Sequence, residues 1–203
     1  MPPESETVFV VDDDFRVREA LVDLFASKDL DCVAFASAAE YLRSANPSGP
    51  SCLVLDVSLP DINGLDLQSS FASTDHPPIV FISGQGDVPS SVRAMKAGAV
   101  DFLTKPWREE DLLQAVRAAL EQDREQRRNK AEMMELEGRL ATLTPREHEV
   151  LPLVARGLLN KQAAAQLGIS EVTLQIHRSK IMQKMKAASL AELVRMAAKL
   201  DIK

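Results

Sequence analysis

The sequence predicts a doubly wound α/β domain, then a long helical linker, then an all-α domain of four helices. Strand and helix patterns alternate over residues 1–120, which favours a five-stranded parallel sheet covered on both faces. From Glu121 to Glu132 the chain is almost wholly polar and has neither Gly nor Pro. Helix caps recur after that stretch. We therefore predict a first domain at 1–120, a linker at 121–142 and a second domain at 143–203.

Five short apolar runs are predicted as strands, and each is followed by residues with helical spacing. The predicted strands are Thr7–Val11, Cys32–Phe35, Cys52–Leu55, Ile79–Ile82 and Val100–Leu103. The predicted helices are Phe15–Phe25, Ala38–Leu42, Leu65–Phe71, Val88–Ala97 and one that begins near Glu109.

The fifth helix is predicted to continue beyond the first domain. Leu112, Val116 and Leu120 mark a buried face, and apolar residues return at Met133 after the polar stretch. We interpret this segment as a solvated, charge-rich helix. The alternative is a short coiled coil that dimerises, although the polar stretch interrupts any heptad.

Four helices are predicted after Leu143, and their caps are readable in the sequence. Thr144 and Ser189 each precede a Glu by three residues, which is the pattern of a capping box. Asn160 and Ser170 are the predicted caps of the two middle helices. The short turn Gly168–Ser170 between those helices indicates a helix-turn-helix motif.

Charge and composition limit the possible functions. Residues 1–120 carry 19 acidic and 9 basic side chains, whereas residues 143–203 carry 5 acidic and 10 basic ones, so the basic end is the one suited to a phosphate backbone. One Trp and one Tyr leave little surface for stacking on single-stranded nucleic acid. We expect a cytoplasmic protein without a membrane span, with Cys32 and Cys52 as reduced core thiols.

Acidic residues lie at the ends of predicted strands. Asp12, Asp13 and Asp56 occupy carboxyl ends, and Ser83 and Lys105 end the fourth and fifth strands. In an open parallel sheet these ends converge where ligands bind. Three carboxylates in one cleft need a cation, and hard oxygen ligands suit Mg²⁺. One carboxylate could act as a nucleophile towards phosphorus, with Lys105 offsetting the charge and Ser83 donating a hydrogen bond.

The first domain resembles the receiver domain of response regulators over about residues 5–120. The matching segments are Val8–Asp14, Leu53–Asp56 with Pro60 and Gly64, Ser83-Gly84 and Lys105-Pro106. The resemblance implies a flavodoxin-like sheet with Asp56 as the phosphoacceptor. It also implies that Asp13, Asp56 and the backbone carbonyl of Ser58 bind Mg²⁺ directly, with Asp12 acting partly through water.

The same resemblance implies a conformational switch. Ser83 follows the phosphoryl group, and the ring of Phe102 turns inward. Lys105 is expected to precede a cis-Pro106. Trp107 stands where the family usually has Phe, which should alter packing rather than chemistry.

The second domain resembles the LuxR-type DNA-binding domain. The matching segments are Leu143–Leu151, Gly157, Asn160-Lys161, Ile169-Ser170, Thr173–Arg178 and Ile181–Lys184. With the receiver in front, the chain is similar to the FixJ/NarL class of regulators. The stretches Gly86–Pro89 and Met95–Ala99 favour the FixJ branch.

The third helix of this domain is predicted to read DNA. Gln175, Ile176 and Ser179 fall on its exposed side, where Gln can pair with adenine and an apolar group can touch a thymine methyl. His177 lies near the buried stripe and is expected to pack or to contact the DNA backbone. The family often has Lys at position 175, so the operator sequence is not implied. The remaining predicted DNA-binding residues are Lys161, Thr173, Arg178, Lys180 and Lys184.

The resemblance to these regulators implies a transcription factor that is phosphorylated by a sensor histidine kinase, dimerises and binds promoter DNA, with RNA polymerase as a further partner. Val92 and Lys96 are the predicted dimerisation residues, on an exposed face of the fourth helix and fifth strand that also contains Phe102. We do not expect an enzyme. An aspartyl-phosphate phosphatase would need an acid two residues after Asp56, where this chain has Ser58. A phosphate-independent DNA binder with a vestigial receiver is a further alternative, although the complete acidic set argues against it.

Overall fold

The computed structural model describes residues 5–43, 49–71, 76–84 and 88–202. The chain divides into two compact units, and the division falls between Arg127 and Arg128. No helix among the described residues is long and apolar enough to cross a membrane.

The first unit contains a five-stranded parallel sheet. Its strands are β1 (Thr7–Val11), β2 (Asp31–Phe35), β3 (Ser51–Asp56), β4 (Ile79–Ser83) and β5 (Asp101–Thr104). Their spatial order is β2-β1-β3-β4-β5. The chain therefore reverses its direction of winding between β1 and β3, and the carboxyl ends of these two strands border the crevice of a doubly wound sheet.

Helices cover both faces of this sheet because successive strand residues point to opposite sides. The helices are α1 (Phe15–Ala26), α2 (Ala38–Leu42), α3 (Gly64–Ser70), α4 (Val88–Lys96) and α5 (Glu109–Ala141). One hydrophobic core joins Phe9, Leu53 and Phe81 to α2, α3 and α4. The other joins Val10 and Val54 to α1 and α5.

The sequence predicted this architecture correctly. The first four helices and all five strands lie within one residue of their predicted bounds, and α5 begins at Glu109 as predicted. The Lys105-Pro106 peptide bond is cis, as the family resemblance implied. Cys32 and Cys52 are free thiols, and burial raises the pKa of Cys32 to about 11, which makes it a poor nucleophile.

Helix α5 contacts the sheet beyond the boundary predicted at residue 120. The carboxylate of Asp123 is buried, and its Oδ2 accepts hydrogen bonds from the Ser51 amide at 2.8 Å and from Arg127 Nε at 2.6 Å. Arg124 also pairs with Glu6, which precedes β1. Because these contacts tie α5 to the amino ends of β1 and β3, we propose that the first unit extends to Arg127.

The second unit contains the last part of α5 and four further helices. These are α6 (Pro145–Ala155), α7 (Asn160–Leu167), α8 (Glu171–Lys184) and α9 (Leu190–Lys199). Val150, Ala163, Leu174 and Leu193 form the centre of one hydrophobic core shared by α6–α9. The predicted order of four helices after the linker is confirmed.

Two of the four predicted caps differ in detail from the structure. Thr144 forms the complete capping box with Glu147, and Ser170 accepts from the Thr173 amide, as predicted. Asn160 is not a cap: Leu159 holds that position in an extended conformation, and its amide is satisfied by the Gln162 side chain at 3.0 Å.

The cap at Ser189 is also only partly as predicted. Its hydroxyl accepts from the Glu192 amide, but the Glu192 carboxylate accepts from the Ala188 amide rather than from that of Ser189 itself.

The turn between α7 and α8 requires a residue in the left-handed conformation, and Gly168 supplies it with φ of 64°.

We expect Asp123→Ala to destabilise the first unit by about 1.5–3 kcal/mol, because the buried Ser51 amide and Arg127 lose a charged acceptor. Urea unfolding followed by Trp107 fluorescence measures this, since the one Trp of the chain packs in the first unit. Glu121→Ala is the control, because Glu121 is exposed and pairs with Arg124 at the surface, where a loss of no more than about 0.5 kcal/mol is expected. Equal losses for the two variants would contradict the prediction.

Candidate functional site

Three aspartates meet at the carboxyl edge of the sheet. Asp12 follows β1, Asp56 is the last residue of β3, and both carboxylates are buried, whereas Asp13 is exposed. One carboxylate oxygen from each of the three lies within 4.8 Å of the others. An oxygen-only donor set that is open on one side suits a hard divalent cation such as Mg²⁺, which retains water ligands.

Lys105 joins the two buried carboxylates. Its Nζ lies 2.6 Å from Asp12 Oδ2 and 2.7 Å from Asp56 Oδ2. The other oxygen of each carboxylate accepts a backbone amide, from Asp14 at 2.9 Å and from Ser58 at 3.0 Å. Each buried acid is therefore held by one fixed amide and by one cation on a flexible side chain.

The electrostatics of this cluster favour a charged lysine. Burial lowers the pKa of Lys105, but its hydrogen bonds to Asp12 and Asp56 outweigh burial and leave the pKa raised. Burial raises the pKa of Asp12, and the neighbouring charge of Asp56 raises it further, against the opposing bonds from Lys105 and Asp14. Three carboxylates meet one lysine in this cleft, and this excess of acidic groups also favours a divalent cation there.

Gly64 allows the helix α3 to begin directly against Asp56. A Cβ atom at this position would lie 2.4 Å from the backbone oxygen of Asp56, so any side chain would displace the loop. The Gly64 amide also donates to the Val57 carbonyl at 2.9 Å. The glycine of the sequence motif is therefore explained by close backbone approach.

Arg18 is a site residue that the sequence did not reveal. From α1, its Nη1 donates to the carbonyls of Asp12 at 2.7 Å and Asp13 at 2.9 Å. This fork fixes the loop that carries two of the three acids. Its targets are backbone oxygens, which no side-chain pattern marks, so the sequence offers no signal for this contact.

The predicted switch residues lie on adjacent strands. Ser83 is buried at the end of β4, and its carbonyl accepts from the Lys105 amide at 2.7 Å. The half-buried ring of Phe102, on β5, lies 6.1 Å from the ring of Phe81. Their movement stays a prediction, as does the metal-binding role of the Ser58 carbonyl. Gly86 and Asp87, part of the FixJ-like stretch, lie outside the described residues.

Exposed apolar side chains form a stripe along α4. The predicted dimerisation residues Val92 and Lys96 are both exposed. Val88 and Met95, which the sequence reasoning did not assign, are also exposed and continue the stripe of Val92 at helical spacing. The exposure of Val92 and Lys96 was expected from the sequence. The spacing i, i+4 and i+7 was also visible there, but Val88 and Met95 were not assigned to this face.

The predicted reading face of α8 is exposed. Leu174, Ile181 and Met185 are fully buried, as their spacing indicated. Gln175, Ile176 and Ser179 are exposed on the other side, and so are Lys161 and Lys180. His177 is half-buried, as is Thr173, whose hydroxyl lies 2.8 Å from that of Ser170.

Two predicted phosphate-binding cations have partners inside the second unit. Arg178 donates from Nη1 to Asn160 Oδ1 at 3.0 Å, which ties α8 to α7. Lys184 donates from Nζ to the buried Glu147 at 2.6 Å and to the Thr142 carbonyl at 3.0 Å. Both residues therefore have structural roles that the sequence did not reveal, and their contacts with DNA stay predictions.

The first unit, with its acidic cleft, defines a receiver domain, and the second defines a helix-turn-helix DNA-binding domain. The chain belongs to the response regulators that join a receiver to a LuxR-type DNA-binding domain. Residues 8–117 match the response regulator receiver domain, and residues 141–197 match the bacterial regulatory proteins of the luxR family.

Named relatives match almost the whole chain. The chain is 53% identical over 196 residues to nodulation protein W of Bradyrhizobium diazoefficiens, covering 96% of this chain and 86% of that protein. It is 45% identical to the transcriptional regulatory protein FixJ of Azorhizobium caulinodans, covering 96% and 93%. The solved structure of the response regulator StyR is 46% identical and superposes with a TM-score of 0.85, covering 96% of this chain and 99% of that one.

We expect Glu147→Gln to flatten the acid dependence of stability of the second unit. Burial raises the pKa of Glu147, but the hydrogen bonds from Lys184 and Thr144 outweigh it and leave the pKa lowered. A carboxyl group whose pKa is lower in the folded state than in the unfolded state stabilises the fold at pH values above its unfolded pKa, which is about 4.3 for Glu. This stabilisation is lost as the pH falls through the folded-state pKa.

The measurement is urea unfolding at a series of pH values below 6. Circular dichroism follows both units, and Trp107 fluorescence identifies the transition of the first. Glu149→Gln is the matched control on the same helix, because Glu149 is exposed and pairs with Arg146 at the surface. An unchanged acid dependence in Glu147→Gln would show that the buried pair does not carry it.

Proposed function

We propose that this response regulator accepts a phosphoryl group on Asp56 from a sensor histidine kinase, dimerises through its receiver and binds promoter DNA. The observation that supports this most strongly is the buried Asp56 carboxylate, 2.7 Å from Lys105 and clustered with Asp12 and Asp13. Both the kinase's phosphodonor and promoter DNA are expected in the cytoplasm, and RNA polymerase is the expected downstream partner.

The chemistry at Asp56 follows from its surroundings. A carboxylate oxygen of Asp56 is the nucleophile that bonds to phosphorus, while the bond between phosphorus and the histidine nitrogen of the kinase breaks and the imidazole leaves with the electron pair. Asp12, Asp13, Asp56 and the Ser58 carbonyl would hold Mg²⁺, which neutralises charge on the phosphoryl oxygens when bound. Lys105 already contacts Asp56 Oδ2 and can follow the new negative charge, while Ser83 donates a hydrogen bond from the neighbouring strand.

The apolar side of α4 supports dimerisation of the phosphorylated receiver. Val88, Val92 and Met95 form an exposed stripe, with Lys96 beside it. Phosphorylation would reposition Ser83 and Phe102 and repack this face, which acts as a two-state element. A two-fold dimer uses the same patch on both copies, so a charged side chain introduced on the stripe would be buried in the interface from each copy.

The reading face of α8 supports sequence-specific DNA binding. Gln175, Ile176 and Ser179 are positioned to meet base edges. The remaining cations and Thr173 would contact the phosphate backbone; of these, Lys161 and Lys180 are exposed, while Arg178 and Lys184 also hold the fold.

We expect acetyl phosphate and Mg²⁺ to phosphorylate the wild-type chain and to convert it from monomer to dimer. Asp56→Asn should neither take up label nor dimerise, because it lacks the nucleophile. Val92→Asp should be labelled normally yet stay monomeric, because dimerisation would bury the new carboxylate against the same patch of the second copy. Mass spectrometry measures phosphorylation, and sedimentation measures association. Wild-type labelling of Asp56→Asn would refute the phosphorylation site, and a dimer of phosphorylated Val92→Asp would refute only the dimer face.

We expect Gln175→Ala and Lys180→Ala to weaken DNA binding in different ways. Gln175→Ala should cost about 1–3 kcal/mol on the best duplex selected from a random pool and almost nothing on scrambled DNA. Lys180→Ala should weaken both equally and reduce the salt slope by about one. Lys180 is a cleaner probe than Lys184, whose loss would also leave Glu147 unpaired. Equal losses of Gln175→Ala on both duplexes would place the reading face elsewhere.

A further inference from the structure

Apolar side chains lie on both sides of α8. Leu174, Ile181 and Met185 are buried in the core, but Val172 is 70% exposed and Ile176 is 51% exposed on the other side. We propose that Val172 is a further base-reading residue and that Val172 and Ile176 together contact thymine methyl groups in the major groove. This inference rests on the proposed DNA-binding function and names the bases that it reads.

Val172 shares the face of the predicted readers. It lies four residues before Ile176, three before Gln175 and seven before Ser179, which are the spacings that place side chains on one side of a helix. It is also in the first turn of α8, which begins at Glu171. The amino-terminal residues of a recognition helix are the ones that approach base edges.

Both apolar side chains are branched at Cβ. A helix fixes such side chains almost entirely in one χ1 rotamer, which lowers their helix propensity at an exposed position. The same restriction prepares them for binding, because little side-chain entropy remains to be lost on contact. Val172 and Ile176 therefore form a rigid apolar ridge that the fold of the second unit does not use.

The surroundings of this ridge favour DNA over a protein partner. Gln175 and Ser179 lie beside it on the same face, and the exposed cations Lys161 and Lys180 lie on α7 and α8. Residues 143–203 carry twice as many basic as acidic side chains, 10 against 5. In the major groove the apolar group that the four bases offer is the C5-methyl of thymine, so an apolar ridge there selects thymine.

The spacing of the ridge predicts the spacing of the thymines. Four residues advance about 6 Å along a helix axis. Successive base pairs are about 3.4 Å apart. A helix lying along the groove therefore brings Val172 and Ile176 to thymines about two base pairs apart, on either strand.

Uracil substitution tests this directly, because it removes the methyl group and keeps the base pairing. The probe is the best duplex selected by the full-length protein from a random pool, with each thymine replaced singly. For the wild type we expect about a fourfold loss of affinity at two positions per half-site. This is the factor that corresponds to the loss of one buried methyl-sized group. Val172→Ala should be insensitive to uracil at one of these positions and Ile176→Ala at the other.

Leu159→Ala is the control, because Leu159 is 69% exposed and apolar but precedes α7. It should keep the wild-type response to uracil at every position. If Val172→Ala keeps it as well, Val172 does not read DNA. If Val172→Ala impairs transcription with RNA polymerase but binds all duplexes normally, the ridge is a protein contact and the inference is wrong. If the wild type selects no sequence from the pool, the proposed DNA-binding function itself fails.

Discussion

The placement of Lys105 between Asp12 and Asp56 is the constraint on which the receiver depends. The order of strands brings two acids to neighbouring strand ends, where their burial without a cation would be costly. Lys105 reaches both from the end of β5, across the intervening β4. The close approach of Gly64 and the hydrogen bonds of Arg18 then keep the two acid-bearing loops in the geometry that this lysine bridges.

The sequence predicted most of the fold because the first unit is built from buried parallel strands. Such strands appear as continuous apolar runs, and an acid that stops a run marks the edge where ligands bind. The clustering of Asp12, Asp13 and Asp56 could therefore be predicted. The contact of Arg18 with the Asp12 and Asp13 carbonyls and that of Asp123 with the Ser51 amide could not, because each uses backbone groups that carry no sequence signal.

The cations predicted to bind DNA in the second unit fall into two groups. Arg178 and Lys184 hold α8 against α7 and α6, while Lys161 and Lys180 are exposed. In the sequence, charge alone does not distinguish these four residues. The partners of Arg178 and Lys184 are Asn160 and Glu147, which lie 18 and 37 positions earlier in the chain, too far apart for helical periodicity to predict the contacts. The side chain of Asn160, which the sequence suggested as a cap of α7, instead accepts a hydrogen bond from Arg178.

The bond between Asp123 and Ser51 affects how an isolated receiver behaves. Strand β3 begins at Ser51 and ends at Asp56, so the Asp123 carboxylate of α5 anchors one end of the strand whose other end carries the proposed phosphoacceptor. A fragment cut at residue 117, where the match to the receiver family ends, lacks that carboxylate. Phosphorylation rates measured on such a fragment would come from a receiver in which the amino end of β3 lacks this hydrogen bond. Fragments that reach Arg127 are therefore the better reference for the intact protein.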